Sequence, residues 1–393
     1  MSLDKILSGK SREGVVSEPI IFDLKKEKDS KELSKLLKNK KIDRVSDDYV
    51  EQLREFFAVS NPSLVYHPDF QKHFDEFLDG IKKKTSLSKH GKWAYFPWAS
   101  CLTHILDDKS YQLVRTARNR NLINADEQDR FYNATIGIAG LSVGNSVALG
   151  IVMQGGAKHI KIADHDSLAL SNMNRIRAGA QDLGSLKVGM AARQIYEMNP
   201  YAKVEIFPDG ITKKNIDKFF NGLDIVVDEI DNIAVKYLIR EQAKKRKIAV
   251  VMAADNGDNA VVDVERYDEK PQPKFFHGRI GDVNYEMLTK LDKFGIGKTI
   301  TKHVGPENVT ERMRQSLLEM GKTIVSWPQL GGAAMINGAA VAYCVRKILN
   351  GQTIISNRSL ISMDEMLIPG YNSPSEIAKR EEMIREFKKI FGL

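Results

Sequence analysis

Residues 134–166 read ATIGIAGLSVGNSVALGIVMQGGAKHIKIADHD, and this stretch decides the fold. It predicts a strand at Thr135–Ala139, a glycine-bearing turn, a helix at Ser146–Gln154 and a second strand at His159–Ala163. The second strand ends at two acids, Asp164 and Asp166. A strand–turn–helix–strand unit of this kind places a phosphate at a helix N-terminus and a ribose on the acid. The stretch therefore predicts a nucleotide-binding α/β unit.

The turn 140–145, GLSVGN, allows several interpretations. It could be a tight turn without a ligand, and its first five residues also fit the G-x-S-x-G elbow of hydrolases. The elbow would need a later acid and histidine, and it leaves the two acids after the second strand without a role. A dinucleotide site usually has glycine where this turn has Ser142 and Asn145. We therefore favour ATP over NAD, with Gly140, Ser142 and Gly144 at the phosphates.

Polar motifs follow the acids in a fixed order: Ser171-Asn172-x-x-Arg175, Lys187 and Asp231-Asn232. Upstream lie Arg115-Thr116-Ala117-Arg118-Asn119 and Glu127-Gln128. This constellation resembles the adenylation domain of the ubiquitin-activating-enzyme-like (ThiF/MoeB) family over about residues 111–350.

The resemblance implies a site that uses Mg-ATP to convert a carboxylate to an acyl adenylate. Asp164 would hold the ribose hydroxyls, and Arg175 and Lys187 would neutralise phosphate charge. Asp231 would hold Mg²⁺, a hard ion that prefers carboxylate oxygen. The resemblance also assigns Asp166, Asn172 and Asn232 to nucleotide binding. It makes Arg118, Arg175, Lys187 and Asp231 the catalytic set, with Arg118 reaching a γ-phosphate across a homodimer interface.

Each of these residues also has an ordinary interpretation. A single Arg175 or Lys187 would be a solvated surface charge, and Asp231-Asn232 alone would be a helix cap. It is the order and spacing of all the motifs together that favour the nucleotide site.

The cysteine content departs from the family pattern. Many members carry two Cys-x-x-Cys pairs for zinc or a cysteine that forms a thioester, but this chain has only Cys101 and Cys344. Two thiols cannot form a four-thiolate zinc site, and both lie in apolar surroundings that predict burial. We expect no zinc and no cysteine relay, so that an acceptor within the pocket consumes the adenylate directly.

Composition narrows the class of protein. The chain has 393 residues, a net charge of +8, 42% hydrophobic residues and 28% charged residues, as in a globular protein. No apolar run is long enough to span a membrane, and the N-terminal residues lack a signal-peptide core, which predicts a cytoplasmic location. No aromatic ladder for stacking bases is present, which argues against nucleic-acid binding.

Alternating strand and helix patterns over residues 111–270 predict an α/β fold, a doubly wound, mostly parallel (Rossmann-like) sheet. A small α/β module, residues 1–110, precedes it and resembles the peptide-holding domain of pantocin- and microcin-type maturation enzymes. We assign residues 111–355 to the adenylation domain, with a mobile lid at about 271–325, and residues 356–393 to a C-terminal extension and helix.

These features predict a homodimeric adenylating enzyme that acts on a carboxylate of a peptide or small molecule. In its most specific form, this hypothesis is that the enzyme acts in the maturation of a ribosomally made peptide antibiotic. A generic adenylyltransferase for sulfur or cofactor pathways, or for tRNA modification, is the alternative within the family. An NAD-dependent oxidoreductase and a non-catalytic nucleotide-sensing scaffold are alternatives from other classes.

Overall fold

The computed structural model describes residues 18–393, which form two compact units. The smaller unit comprises residues 18–129 and 195–202, and the larger unit comprises residues 130–194 and 203–393. The first boundary between the two units thus lies between residues 129 and 130, whereas the sequence suggested a boundary between residues 110 and 111. Residues 356–393 belong to the larger unit.

The smaller unit contains a four-stranded sheet with the order β1-β3-β4-β2. Its strands are β1 (Ile20–Phe22), β2 (Arg44–Ser46), β3 (Lys92–Phe96) and β4 (Cys101–Ile105). Its helices span Glu27–Lys38, Tyr49–Ser60, Phe70–Lys84 and Asp108–Arg115. Leu53, Phe57 and Phe74 form a buried core between two of these helices. The apolar faces of both helices therefore form the core between them.

The larger unit is built on a seven-stranded sheet with the order β11-β10-β9-β8-β5-β6-β7. Its strands are β5 (Thr135–Ala139), β6 (His159–Ala163), β7 (Lys203–Phe207), β8 (Ile225–Asp228), β9 (Ala249–Asn256), β10 (Asn259–Glu265) and β11 (Arg358–Ile361). Strands β7, β6, β5, β8 and β9 are parallel, and β10 and β11 add an antiparallel edge. The predicted doubly wound, mostly parallel sheet is confirmed.

The helices from residue 125 onward connect and cover these strands. They span Ala125–Asn133, Val143–Met153, Lys187–Met198, Ile216–Phe220, Ile233–Arg246, Tyr285–Thr289, Lys293–Val304, Glu311–Glu319, Gly331–Leu349, Met363–Leu367 and Pro374–Phe391. Helix Gly331–Leu349, which is rich in alanine and glycine, packs closely on helix Val143–Met153. A side chain at Gly338 would meet the backbone of Ser146 at 2.8 Å. The glycine therefore permits the contact.

Two predictions about elements need correction. The helix after β5 begins at Val143 rather than Ser146. Val, Gly and Asn have low helix propensity, but in the structure residues 143–145 form the first turn of this helix. Residues 271–325, where the sequence shows weak periodicity, contain three helices. They are held by burial of apolar side chains such as Val304 and Met313. Across residues 18–393, the helices all fall short of the length and apolar character that crossing a membrane requires.

Candidate functional site

The turn after β5 is shaped by Gly140. Its φ is +86°, in the region that favours glycine, and a Cβ there would lie 2.3 Å from the Glu229 carbonyl oxygen. The turn can therefore run directly against the backbone that follows β8. Gly144 lies in the first turn of helix Val143–Met153, where a Cβ would lie 3.1 Å from Ile138 Cγ2. This brings the N-terminus of the helix to the carboxyl ends of β5 and β8, the position at which such sheets bind nucleotides.

Asp164 follows β6 and is held rigidly by backbone amides. The Leu141 N–H donates to its Oδ2 at 2.7 Å, and the Asp166 N–H donates to its Oδ1 at 2.8 Å. The side chain is 7% exposed. Because a carboxylate has more than two acceptor positions, Asp164 can still accept hydrogen bonds from ribose hydroxyls, as the sequence predicts.

Lys187 is buried beside this acid and forms an ion pair with Asp166. Lys187 Nζ lies 2.8 Å from Asp166 Oδ2, and the Lys187 N–H donates to the Asp166 carbonyl oxygen at 2.9 Å. The hydrogen bond from Lys187 lowers the pKa of the Asp166 carboxyl group. The ammonium predicted to meet phosphate thus has a carboxylate partner in this structure.

Arg175 reaches back to the turn after β5. Its Nε donates to Ser142 Oγ at 3.2 Å, and its Nη1 donates to the Asn174 side chain at 2.9 Å. Burial lowers the pKa of Arg175, whereas the charges of Asp255 and Asp231 oppose that effect. The guanidinium of Arg175 therefore interacts electrostatically with Asp231, which follows β8, and with Asp255, near the end of β9.

The remaining predicted residues have simpler surroundings. Asn172 Oδ1 accepts from the Ala169 N–H at 3.0 Å, which closes a short turn. Asn232 caps helix Ile233–Arg246, and its Oδ1 accepts from the Ala234 and Val235 N–H groups at 3.0 and 3.2 Å. Asp231 precedes this cap and is exposed. The carboxylate of Asp231 is therefore exposed at the N-terminal end of this helix.

Arg118 lies in the smaller unit, in a short helical turn at Ala117–Asn119, and its side chain is exposed. It is thus the one predicted catalytic residue outside the larger unit.

Two acids of the site escaped the sequence analysis. Asp255, near the end of β9, is 5% exposed and accepts hydrogen bonds from Gln329 Nε2 at 3.1 Å and from the Asn337 amide. Burial raises the pKa of the Asp255 carboxyl group, although both amides and Arg175 oppose the rise. Glu229 Oε1 accepts from the Ala253 N–H at 2.9 Å, and burial raises the pKa of Glu229 well above its usual value. An acid after an apolar strand, the signal that identified Asp164, also marks Asp255.

A buried charge network supports the end of β8. Asp228 Oδ2 lies 2.6 Å from Arg240 Nη1 and 3.2 Å from Lys236 Nζ. Burial opposes ionisation of Asp228, but these two cations lower its pKa. Arg240 Nε lies 2.7 Å from Glu265 Oε2 in β10, and Glu265 Oε1 accepts from the Phe276 N–H at 2.7 Å. The network therefore fixes the backbone from which Asp231 and Asn232 extend.

A group of three potential metal ligands lies elsewhere on the same edge. Among residues 18–393, Asp164, His165 and Asp166 are the one such group, with ligand atoms within 4.8 Å of one another. Both Asp164 oxygens already accept backbone hydrogen bonds, and Asp166 is paired with Lys187. The trio is thus satisfied by protein groups, and we do not assign it to a metal.

Comparison with known proteins finds one match to a family and several similar sequences. Residues 116–277 match the ThiF family. The uncharacterized protein MT1398 of Mycobacterium tuberculosis (strain CDC 1551 / Oshkosh) is 33% identical over 327 residues, which are 82% of this chain and 45% of that protein. A probable molybdopterin-synthase adenylyltransferase of Porphyra purpurea is 24% identical over 261 residues, which are 66% of this chain and 65% of that protein. The chain thus spans less than two thirds of the length of either relative.

Among solved structures, E. coli MccB with ATP is similar to this chain. The sequence identity is 15% and the TM-score is 0.46, and the match covers 66% of this chain and 69% of MccB.

Proposed function

We propose, on the premise that this chain carries a ThiF family domain, that it is an ATP-dependent adenylyltransferase that activates a carboxylate. The observation that supports this most directly is the contact of Arg175 with the glycine turn that follows β5, where its Nε donates to Ser142 Oγ at 3.2 Å. A cation, two acids and a helix N-terminus at the carboxyl ends of parallel strands suit a triphosphate and its metal.

The proposed reaction transfers the adenylyl group. An oxygen of the substrate carboxylate forms a bond to the α-phosphorus of ATP, and the bond from that phosphorus to the bridging β-phosphate oxygen breaks. The products are an acyl adenylate and pyrophosphate, so no proton or electron is gained or lost in this step. Arg175 and Lys187 neutralise phosphate charge, and Asp164 positions the ribose.

Asp231 is the residue we propose for Mg²⁺. Its exposed carboxylate offers the oxygen ligands that Mg²⁺ prefers, together with water and phosphate oxygens. When bound, the ion would balance charge on the phosphates. Asp255 fits this role less well, since both of its oxygens already accept hydrogen bonds from side-chain amides.

The proposal does not use a cysteine. Cys101 and Cys344 are both free and buried, and burial raises the pKa of the Cys344 thiol to about 11. Because both thiols are buried, neither residue is suited to accept an acyl group. The adenylate would therefore pass directly to an acceptor, in a compartment that contains ATP, such as the cytoplasm.

We propose a peptide as the substrate, with maturation of a ribosomally made peptide as the specific setting. The smaller unit supports this, since it has its own sheet and core and holds, of the residues proposed for adenylation, Arg118 alone. A role in sulfur or cofactor metabolism is the second candidate. It is favoured by the similarity to a probable molybdopterin-synthase adenylyltransferase.

Nucleotide titration tests the central proposal. We expect MgATP to bind with micromolar affinity and NADH not to bind, as measured by calorimetry. Asp231→Asn should weaken binding in the presence of Mg²⁺ by about 10-fold or more, because it removes a charged ligand. Asp282→Asn, which changes an exposed acid in the same unit, is the control and should bind normally. Tight NADH binding without MgATP binding would refute the assignment.

The substrate class is tested separately by pyrophosphate release with peptides and with small carboxylic acids. Release with a peptide acid but not with its amide would support the peptide proposal. Release only with a sulfur-carrier protein would favour the second candidate. Release that survives Asp231→Asn would contradict the assigned site.

We further propose a homodimer in which Arg118 acts on the nucleotide of the partner subunit. Arg118→Ala and Lys187→Ala should each be inactive alone. Mixed subunits should recover about a quarter of the wild-type activity, since half of the dimers would be mixed and each would hold one complete site. Mixtures that stay inactive, although mixed dimers are detected by mass spectrometry, would remove this role for Arg118.

A further inference from the structure

The segment 171–175, which carries Arg175, is held against a second segment of the larger unit. Asn174 Nδ2 donates to the Gln329 carbonyl oxygen at 2.7 Å, although the two residues are 155 positions apart in the sequence. Gly331 lies against the same asparagine, since a Cβ at Gly331 would be 2.5 Å from the Asn174 carbonyl oxygen. Residues 329–331 therefore lie directly beside the residue that precedes Arg175.

Gln329 is anchored in turn near the end of β9. Its Nε2 donates to Asp255 Oδ2 at 3.1 Å, and Asp255 Oδ1 accepts from the Asn337 amide. Asp255 is 5% exposed, and Asn337, in the helix that begins at Gly331, is fully buried. Because protein interiors are closely packed, two buried groups form a rigid anchor. The position of Gln329 is thus set by the interior of the unit.

The hydrogen bonds that begin at this anchor continue to the glycine turn. Asn174 Oδ1 accepts from Arg175 Nη1 at 2.9 Å, and Arg175 Nε donates to Ser142 Oγ at 3.2 Å. Arg175 Nη1 also donates to the Ser171 carbonyl oxygen at 3.2 Å, within its own segment. A connected series of hydrogen bonds thus runs from β9 through the guanidinium to the turn after β5.

Such a series matters for Arg175 because an arginine side chain is long and has many rotamers. Fixing these rotamers when a phosphate binds costs conformational entropy. A guanidinium that is already held in place avoids much of this cost, so pre-organisation favours binding. Gln329 carries no charge, so any effect that it has on phosphate binding must act through the position of other groups.

We propose that Gln329 is a positioning residue for the nucleotide, which holds Asn174 and, through it, the Arg175 guanidinium where the phosphates bind. This inference rests on the proposed function, because it requires the MgATP site. Gln329 acts through two groups, its amide on Asp255 and its carbonyl oxygen on Asn174. The segment that leads into helix Gly331–Leu349 therefore sets the affinity for the polyphosphate and not the affinity for the nucleoside.

Two adjacent glycines test the contact between the segments. A Cβ at Gly331 would overlap the Asn174 carbonyl oxygen, whereas no atom lies within 4 Å of a Cβ at Gly332. Gly331→Ala should weaken MgATP binding about 3- to 10-fold, measured by calorimetry, because it pushes Asn174 away from Gln329. Gly332→Ala should bind MgATP as the wild type does. Equal MgATP affinities of the two variants would overturn the proposal.

Substitution of Gln329 tests the anchor itself. Gln329→Ala should weaken MgATP binding about 3- to 10-fold, since one anchoring hydrogen bond is lost. Its affinity for adenosine should stay within about twofold of the wild-type value, because adenosine has no phosphate for Arg175 to contact. Gln272→Ala is the control. Gln272 is also half-buried in the larger unit, and its amide donates to the Tyr267 carbonyl oxygen at 2.6 Å, so both affinities should be retained.

A double variant shows whether Gln329 acts through Arg175. Arg175→Met alone should weaken MgATP binding about 10- to 100-fold, because charge-assisted hydrogen bonds are lost. Gln329→Ala should add no further loss in that background, since the group on which it acts is missing. A further loss, or an equal loss of MgATP and adenosine affinity in Gln329→Ala alone, would overturn the proposal and leave the nucleotide site standing. A wild-type protein that does not bind MgATP would refute the proposed function, and this inference with it.

Discussion

Substitution of Gly140 by alanine tests the geometry on which the site depends. Alanine at a φ of +86° costs about 1–2 kcal/mol, because Cβ then crowds the following carbonyl. The new Cβ would also lie 2.3 Å from the Glu229 carbonyl oxygen and 2.5 Å from its carbon. Backbone atoms cannot rotate away as a side chain can, and relief of such an overlap typically costs a further 1–3 kcal/mol or so. We therefore expect Gly140→Ala to lower the free energy of unfolding by about 2–5 kcal/mol.

Gly222→Ala is the matched control. Gly222 has a φ of +72°, but no atom lies within 4 Å of the position where its Cβ would be. This variant should show only the conformational cost of about 1–2 kcal/mol. The difference between the two variants isolates the overlap with Glu229.

The assay is urea unfolding followed by hydrogen exchange of peptides from β5 and β8, which reports on the larger unit alone. MgATP affinity is measured in parallel. We expect Gly140→Ala to lower this affinity because it displaces the backbone leading to Asp231, whereas Gly222→Ala should retain it. Equal destabilisation by the two substitutions would show that β5 and the segment after β8 do not meet as described.

Three further predictions follow from other contacts. The lowered pKa of Asp166 should stabilise the wild-type protein above the unfolded pKa of about 4, and this contribution should fade as pH falls through the folded value. Lys187→Met should therefore flatten the acid limb of a plot of unfolding free energy against pH, and an unchanged limb would contradict the ion pair. Arg240→Met should lower the free energy of unfolding by about 3–5 kcal/mol in urea titration, because it removes the cation paired with buried Glu265 and leaves Lys236 as the cation beside buried Asp228. A Cys101→Ala, Cys344→Ala double variant should retain pyrophosphate release, and inactivity of the folded variant would restore a cysteine relay.

Much of the parallel sheet could be predicted because its strands are apolar runs ended by glycine or acids. The predicted and observed bounds of β5 and β6 are the same. The alanines that follow Met252 have low strand propensity, so the local sequence does not indicate that β9 extends past Asp255. The strand continues to Asn256 through its pairing with β10. Asp255 was therefore missed.

The contacts of the site residues could not be predicted, because they depend on segments far apart in the chain. The partners of Asp255 come from Gln329 and Asn337, in a part of the chain more than seventy residues away. The helices within residues 271–325 also could not be predicted from local sequence. Their apolar side chains show little periodicity and are buried by β10 and by helix Ile233–Arg246. Local sequence patterns do not specify such long-range contacts.

The hydrogen bond from the Phe276 N–H to buried Glu265 limits where a lid could begin. Glu265 is also paired with Arg240 inside the unit, so an outward movement of residue 276 would remove a backbone hydrogen bond from a buried carboxylate. Gly278 and Gly281, both with a φ of +77°, follow within five residues, and nothing crowds the second of them. A closing movement over the site would thus pivot at these glycines, and the chain before them would remain a fixed anchor.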